Sequence, residues 1–151
     1  MAPIPVALCG KNPNMAGRFT EAMNDDFHVT HVFTSVGAVS HELPALLKGE
    51  SIKPSSGLGS NCHSEKSQAP KAIIVGAGFS RSELDEMRKF EGCKDIPWLY
   101  PDPTKMAGTG FRALFGGDFM TSVVNRAKST MREHGLEEGK EDQVKPDVWG
   151  F

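Results

Sequence analysis

The sequence predicts a three-layer, doubly wound α/β domain, on the strength of three features. Segments 4–10 and 71–78 are apolar almost throughout, and both run into glycine, at Gly10 and at Gly76 and Gly78. A strand covered on both faces reads this way, because neither side meets water. Each run is followed by a segment whose apolar residues recur at helical spacing, and strand–helix alternation means βαβ units, right-handed crossovers and a parallel sheet. The chain has 151 residues, a usual size for one such domain and too few for two, so the expectation is a single domain over 1–151.

Taken in order, 4–10 is the first and central strand. Behind the turn Lys11-Asn12-Pro13-Asn14, segment 15–23 sets Met15, Phe19, Ala22 and Met23 on one helical face, with Pro13 at the entrance and Asn14 as a candidate cap. Segment 27–35 alternates Phe27, Val29, His31 and Phe33 against His28, Thr30, Val32 and Thr34, a strand near an edge because one face is partly polar. A shorter helix follows over 37–49, buried through Leu43, Leu46 and Leu47, with Pro44 expected in its first turn or at a kink. Segment 51–70 is rich in Ser, Gly, Pro, Lys and Asn and reads as a long flexible loop.

The clearest strand is 71–78. Its helix, capped by Ser80 or Ser82, buries Leu84, Met87 and Phe90 and is stopped by Gly92. A short strand over 96–100 begins at or near Pro97 and is broken by Pro101-Asp102-Pro103. A last helix, capped by Asp118, runs to about His134, with Met120, Val124, Ala127 and Met131 repeating at four, three and four. A polar segment over 137–147 then leads to Val148-Trp149-Gly150-Phe151, apolar enough to dock and to supply a fifth strand. The first and third strands are the most apolar and belong in the middle, which gives the order 2-1-3-4 in a flavodoxin-like or Rossmann-like sheet of four to five mainly parallel strands. Open edges on so small a sheet favour a homodimer.

Charge and cysteine usage exclude several functions. Seventeen Lys and Arg stand against nineteen Asp and Glu without a long run of either sign, so the concentrated basic face of a nucleic-acid binder is missing. The three cysteines, Cys9, Cys62 and Cys93, form no CxxC pair and no metal-ligand spacing, so neither a disulfide framework nor a zinc site is expected. No stretch approaches the roughly 18–20 apolar residues of a membrane span, and no secretion signal is evident. The expectation is a cytoplasmic protein with reduced thiols that engages neither membrane nor nucleic acid.

In an open parallel sheet the site lies beyond the carboxyl ends of the strands. Those ends supply Lys11 and Asn12 from the first strand, Ser35 from the second, Phe79 from the third, and Tyr100, Asp102 and Lys105 from the fourth. Lys11 and Asp102 are candidate proton carriers, and an amide or ammonium beside them can polarise a carbonyl. Pro-Asp-Pro is equally a plain turn, and most aromatic residues of such a set are ordinarily core. Of the five histidines, His63 is the best acid–base candidate, because the loop carrying Ser60, Asn61 and His63 is long enough to close as a lid, whereas His28 and His31 inside a strand read as surface or satisfied core groups. Gly76-Ala77-Gly78 hints at a dinucleotide turn, but Arg81 occupies the third glycine position.

The runs GKNP at 10–13, ELPALLKGE at 42–50, GSN at 59–61 and PWLYPDPTK at 97–105 resemble a family of small single-domain fungal proteins found beside aromatic-polyketide pathways. The resemblance implies a cofactor-free dehydratase of the kind that finishes naphthopyrone rings, with a small aromatic substrate. The resulting expectation is a cofactor-independent lyase or isomerase with Lys11, Asp102 and His63 catalytic and Asn12, Ser35, Ser60, Asn61, Phe79, Tyr100 and Lys105 binding substrate. Two alternatives stand beside it: an NAD(P)-binding oxidoreductase using residues 76–81, and a non-catalytic dimeric binding protein.

Overall fold

The computed structural model describes residues 3–23, 26–76, 78–101, 119–137, 140 and 144–151. Asp102, Lys105 and the Asp118 cap lie outside the described residues. The elements are β1 (Ile4–Cys9), α1 (Pro13–Ala22), β2 (Phe27–Phe33), α2 (Val36–Leu47), β3 (Ile73–Val75), α3 (Arg81–Arg88), β4 (Trp98–Tyr100), α4 (Phe119–Glu133) and β5 (Val148–Gly150), with 3-10 turns at Ser60–Cys62 and Cys93–Asp95. The strands form one sheet in the order β2-β1-β3-β4-β5, every pairing parallel. The expected fold class and strand order are both present, and the terminal aromatic segment is the fifth strand.

Side chains alternate across β1 and divide the core. Ile4, Val6 and Leu8 join Ala16, Phe19 and Met23 of α1, Val124, Ala127 and Met131 of α4, and Trp149 and Phe151 on one face. Ala7 and Cys9 join Leu43 and Leu46 of α2, Leu84 and Met87 of α3, and Trp98 on the other. Helices thus cover both faces, the arrangement that right-handed crossovers from a central β1 enforce.

Three local details depart from the sequence-based expectation. The regular alternation expected in β2 is broken, because the β1–β2 register shifts between Val6 and Ala7 and leaves Thr30 as an extra residue. Phe27, Val29 and Val32 therefore face the α1 side, while Phe33 faces α2 with the His31 ring 4.8 Å from it. Asn12 rather than Asn14 caps α1, its Oδ1 accepting from the Asn14 and Met15 amides at 3.0 and 3.3 Å, with Pro13 as the first helical residue. Pro44 sits well inside α2 instead of in its first turn; having no N–H, it forgoes the bond to the Ser40 carbonyl.

Segment 51–70 is tied down along the outer edge of β2. Ser56 Oγ donates to the Val32 carbonyl at 2.7 Å, and Thr30 Oγ1 lies 3.3 Å from the Gln68 carbonyl. Gly59, at φ +102°, approaches so closely that a Cβ there would stand 2.4 Å from the Thr30 oxygen. The loop meets hydrogen-bonding groups that an edge strand would otherwise leave to solvent.

Candidate functional site

The order 2-1-3 places the topological switch between β1 and β3, whose crossovers leave toward opposite faces. A cleft of about 260 Å³ lies there, where the doubly wound fold opens for a ligand. Its walls are Leu8 and Ile74 from the sheet, Ala16 and Phe19 from α1, Val123 from α4 and Phe151 after β5, while Lys11, Asn12, Met15, Gly76, Gly78 and Pro101 form its rim. Among these lining residues only Lys11 and Asn12 have polar side chains. Met15 is the exposed large hydrophobic residue among those described, and its place on this rim gives that exposure a use.

Lys11 is held from below. Its Nζ lies 3.0 Å from Glu83 Oε2 and 3.1 Å from Oε1, and 5.0 Å from the centre of the buried Phe79 ring. Glu83 is in turn the third residue of α3 and completes a capping box, its Oε1 accepting from the Ser80 amide at 2.9 Å while Ser80 Oγ accepts from the Glu83 amide. The Ser80 amide, first, and the Lys11 ammonium hold the Glu83 carboxyl below its ordinary range. An ammonium with three donors that gives one to Glu83 still presents donors to a ligand oxygen.

At this end of the sheet the start of α1 is satisfied from within the chain, and that of α3 in part. Asn12 takes two amides of α1, and Pro13 has none to offer; at α3 the capping box takes the Ser80 and Glu83 amides and places a carboxylate there. Those are the donors a pyrophosphate would need. Gly76 is spent on packing: its amide donates to the Cys9 carbonyl at 2.8 Å, and a Cβ would lie 3.0 Å from that oxygen. Gly76 thus serves a close approach to β1, and the Glu83 carboxylate at the start of α3 opposes a phosphate there.

Of the residues expected in the site, Lys11 and Asn12 line the cleft, with Phe79 beneath Lys11. Tyr100 lies on the opposite face of the sheet, its hydroxyl donating to the Phe79 carbonyl at 3.0 Å. Ser35 caps α2 by accepting from the Ala38 amide. Ser60, Asn61 and His63 stand at the β2 edge and line no part of the cleft, so the expected lid is a fixed edge cover. Both anchors of the loop lie at the far end of the sheet, and buried hydrogen bonds hold its middle.

Those bonds centre on His31, which is fully buried. Its Nε2 lies 2.7 Å from Glu42 Oε1, and its Nδ1 lies 3.1 Å from Asn61 Nδ2. The Gln68 amide donates to Asn61 Oδ1 at 2.9 Å, which fixes the Asn61 amide and makes its Nδ2 the donor to His31. The tautomer follows: Nδ1 accepts, so Nε2 carries the proton and donates to Glu42. Ser55 completes the set, its Oγ donating to Glu42 Oε2 at 2.7 Å and its amide to Oε1 at 3.2 Å. Burial pushes the His31 imidazole below its ordinary value, against the pull of Glu42. Sequence reasoning left His31 as either a surface or a satisfied core group, of which the structure shows the second, and passed over Glu42 and Glu83. The available signals were a carboxylate between the buried Val39 and Leu43 and the Ser-x-x-Glu spacing at 80–83.

The fold and cleft define a doubly wound α/β protein with an apolar recess at its switch point and, among the described residues, one ammonium on the rim. The chain is 30% identical over 135 residues to Kojic acid related protein 6 of Aspergillus oryzae, an alignment that spans 87% of this chain and 78% of that protein. It belongs to the family of that fungal protein. No family model matches the chain, and no solved structure matches it. Among the described residues no helix is long and apolar enough to cross a membrane, and no cluster of three metal-ligating side chains occurs.

Proposed function

We propose that the chain binds a small, flat, oxygenated ring compound of fungal secondary metabolism in the β1/β3 cleft and moves protons on it without a cofactor, as a lyase or isomerase. The observation that carries this reading is the cleft's composition: apolar walls that suit a ring, and Lys11 at the rim to meet its oxygen. The name of the Aspergillus relative, with its link to kojic acid, supports a ligand of this kind.

In the dehydration we propose, the carbonyl oxygen accepts from Lys11 Nζ, which stabilises the enolate as a proton leaves the adjacent carbon. The base returns that proton to the β-hydroxyl, whose carbon–oxygen bond breaks to release water as the enolate collapses to a carbon–carbon double bond and the carbonyl re-forms. Glu83 holds Lys11 and is a poor base, because its carboxyl is kept below its ordinary range. Asp102 is assigned as the base from its sequence position next to Pro101, which lines the cleft.

The test incubates the purified protein with kojic acid and with hydrated naphthopyrone precursors, following thermal unfolding and loss of water by mass spectrometry. A stabilising shift and water loss, both reduced in Lys11→Gln, are expected, with Asp102→Asn abolishing water loss alone. A shift without turnover would remove the lyase and leave the binding site. Undiminished binding in Lys11→Gln would overturn the site itself.

A further inference from the structure

A second hollow, of about 370 Å³, lies between α3 and the β4–β5 edge and is lined by Arg81, Arg88, Tyr100, Pro101, Asp147, Val148 and Gly150. Tyr100 and Val148 pack with the core on the α2/α3 face, whereas the β1/β3 cleft opens on the α1/α4 face. Pro101, at the end of β4, is the described residue the two hollows share.

Two arginines face this hollow from α3, separated by seven residues and hence by roughly 10 Å along the helix. The Arg81 guanidinium lies 5.7 Å from the centre of the Tyr100 ring, and that ring is held by its hydroxyl bond to Phe79. Arg81 Nε is 3.7 Å from Asp85 in an exposed pair one turn along the helix, which leaves its terminal nitrogens to the hollow. Arg88 differs. Its Nε is buried and has no hydrogen-bond partner among the described residues. A guanidinium nitrogen removed from water without an acceptor is costly, and native proteins rarely keep one. Asp147, on the opposite wall, makes no ion pair with it; Asp147 Oδ1 instead accepts from the Val148 amide at 2.8 Å.

We propose that this hollow is an oxyanion site, with Arg88 and Arg81 holding the carboxylate of a small organic acid or the phosphate of an ester and Tyr100 giving its body a flat wall. Guanidinium forks match both groups in geometry and charge. The inference rests on the unpartnered Nε and the paired arginines and is independent of the chemistry proposed for the β1/β3 cleft.

The experiment follows the Arg88 side-chain Nε–H resonance by NMR while inorganic phosphate, and separately benzoate, is titrated at constant ionic strength. A saturating shift is expected with at least one probe, phosphate alone pointing to an ester and benzoate alone to an organic acid. Arg88→Gln and, independently, the exposed Arg81→Gln should each weaken binding about tenfold or more, whereas Lys89→Gln on the outer side of the helix should leave it unchanged. Asp147→Asn should tighten binding by removing the opposing carboxylate. Linear, non-saturating shifts with both probes, or wild-type affinity in Arg81→Gln, would overturn the proposal. So would an Asp147→Asn variant that binds no tighter and unfolds more easily, since Asp147 would then be the partner of Arg88 in solution.

Discussion

Asn61→Ala tests whether the 51–70 segment is a fixed part of the fold. Asn61 is 1% exposed and makes three bonds, to His31 Nδ1 at 3.1 Å and to the Gln68 carbonyl and amide at 3.2 and 2.9 Å. Truncation leaves Nδ1 as a buried acceptor without a donor, a loss of about 1–3 kcal/mol. The Gln68 groups lie on an exposed residue and recover water, so their loss adds about 1 kcal/mol or less. The sum, about 1–4 kcal/mol, is a sizeable part of a typical domain stability of about 5–15 kcal/mol. At about 2–4 °C per kcal/mol for a chain of this size, the unfolding midpoint should fall by roughly 2–16 °C. Urea denaturation should report the same loss through its midpoint at unchanged slope, and hydrogen exchange should show residues 51–70 losing protection first. A midpoint within about 0.5 kcal/mol of the parent, with loop protection intact, would refute the network as a structural clamp.

Other consequences follow from the same geometry. His31 has a native pKa below the ordinary 6.5: above that pH the group is neutral in both states and contributes no slope, and below it the unfolded chain takes the proton first. The stability difference between the parent and His31→Gln should therefore shrink as pH falls from about 6.5, by up to about 1.4 kcal/mol per pH unit, and a constant difference in urea melts from pH 7.5 to 5.5 would contradict this. Gly59→Ala combines a positive φ with a Cβ 2.4 Å from the Thr30 oxygen, so it should cost about 2 kcal/mol or more by thermal unfolding. Burial, aided by Cys93, pushes the Cys9 thiol far up, and burial with Asp95 pushes Cys93 up to about 11; alkylation read by mass spectrometry should mark the partly exposed Cys62 first and the other two only on unfolding. Ser80→Ala removes the side-chain cap of α3 and should cost about 0.5–2 kcal/mol in a denaturant melt.

Where a pattern was set by burial alone, the sequence was legible. The apolar runs of β1 and β3 put those strands in the centre, and the aromatic terminal segment became β5. Reading failed where a tertiary neighbour changed the local rule. Thr30 breaks the β2 alternation because the chain needs an extra residue opposite the Val6–Ala7 step, and no residue type in that stretch announces it. Asn61 looks like a lid residue from its loop, yet it is buried because Glu42 brings a carboxylate onto the inner face of α2 and orients His31 toward it. The site was legible in part for the same reason. The switch-point rule led to Lys11 and Asn12, whereas Phe151 reaches the cleft only through the parallel pairing of β5 with β4, a placement that sequence spacing does not carry.

The way the helix starts are closed decides what the cleft can recognise. Nucleotide-binding proteins of this topology bind phosphate with free amides at the first crossover, but here Asn12 and Pro13 have used or removed those amides, and Glu83 sets a carboxylate at the start of α3. The described residues of the cleft give an apolar recess and one ammonium, a combination that favours a ring with a single polar edge over a multiply charged cofactor. The oxyanion site we propose lies instead at the arginines of α3 on the other face, beyond Pro101. Glu83 links the two faces, because it starts the helix that carries Arg81 and Arg88 and also holds Lys11 at the rim. Replacing Glu83 with Gln should therefore loosen Lys11 and weaken ligand binding in the β1/β3 cleft while leaving the Arg88 Nε–H response to phosphate or benzoate intact. Simultaneous loss of both would mean that the substitution had disturbed α3 itself and that the two hollows are not separable sites.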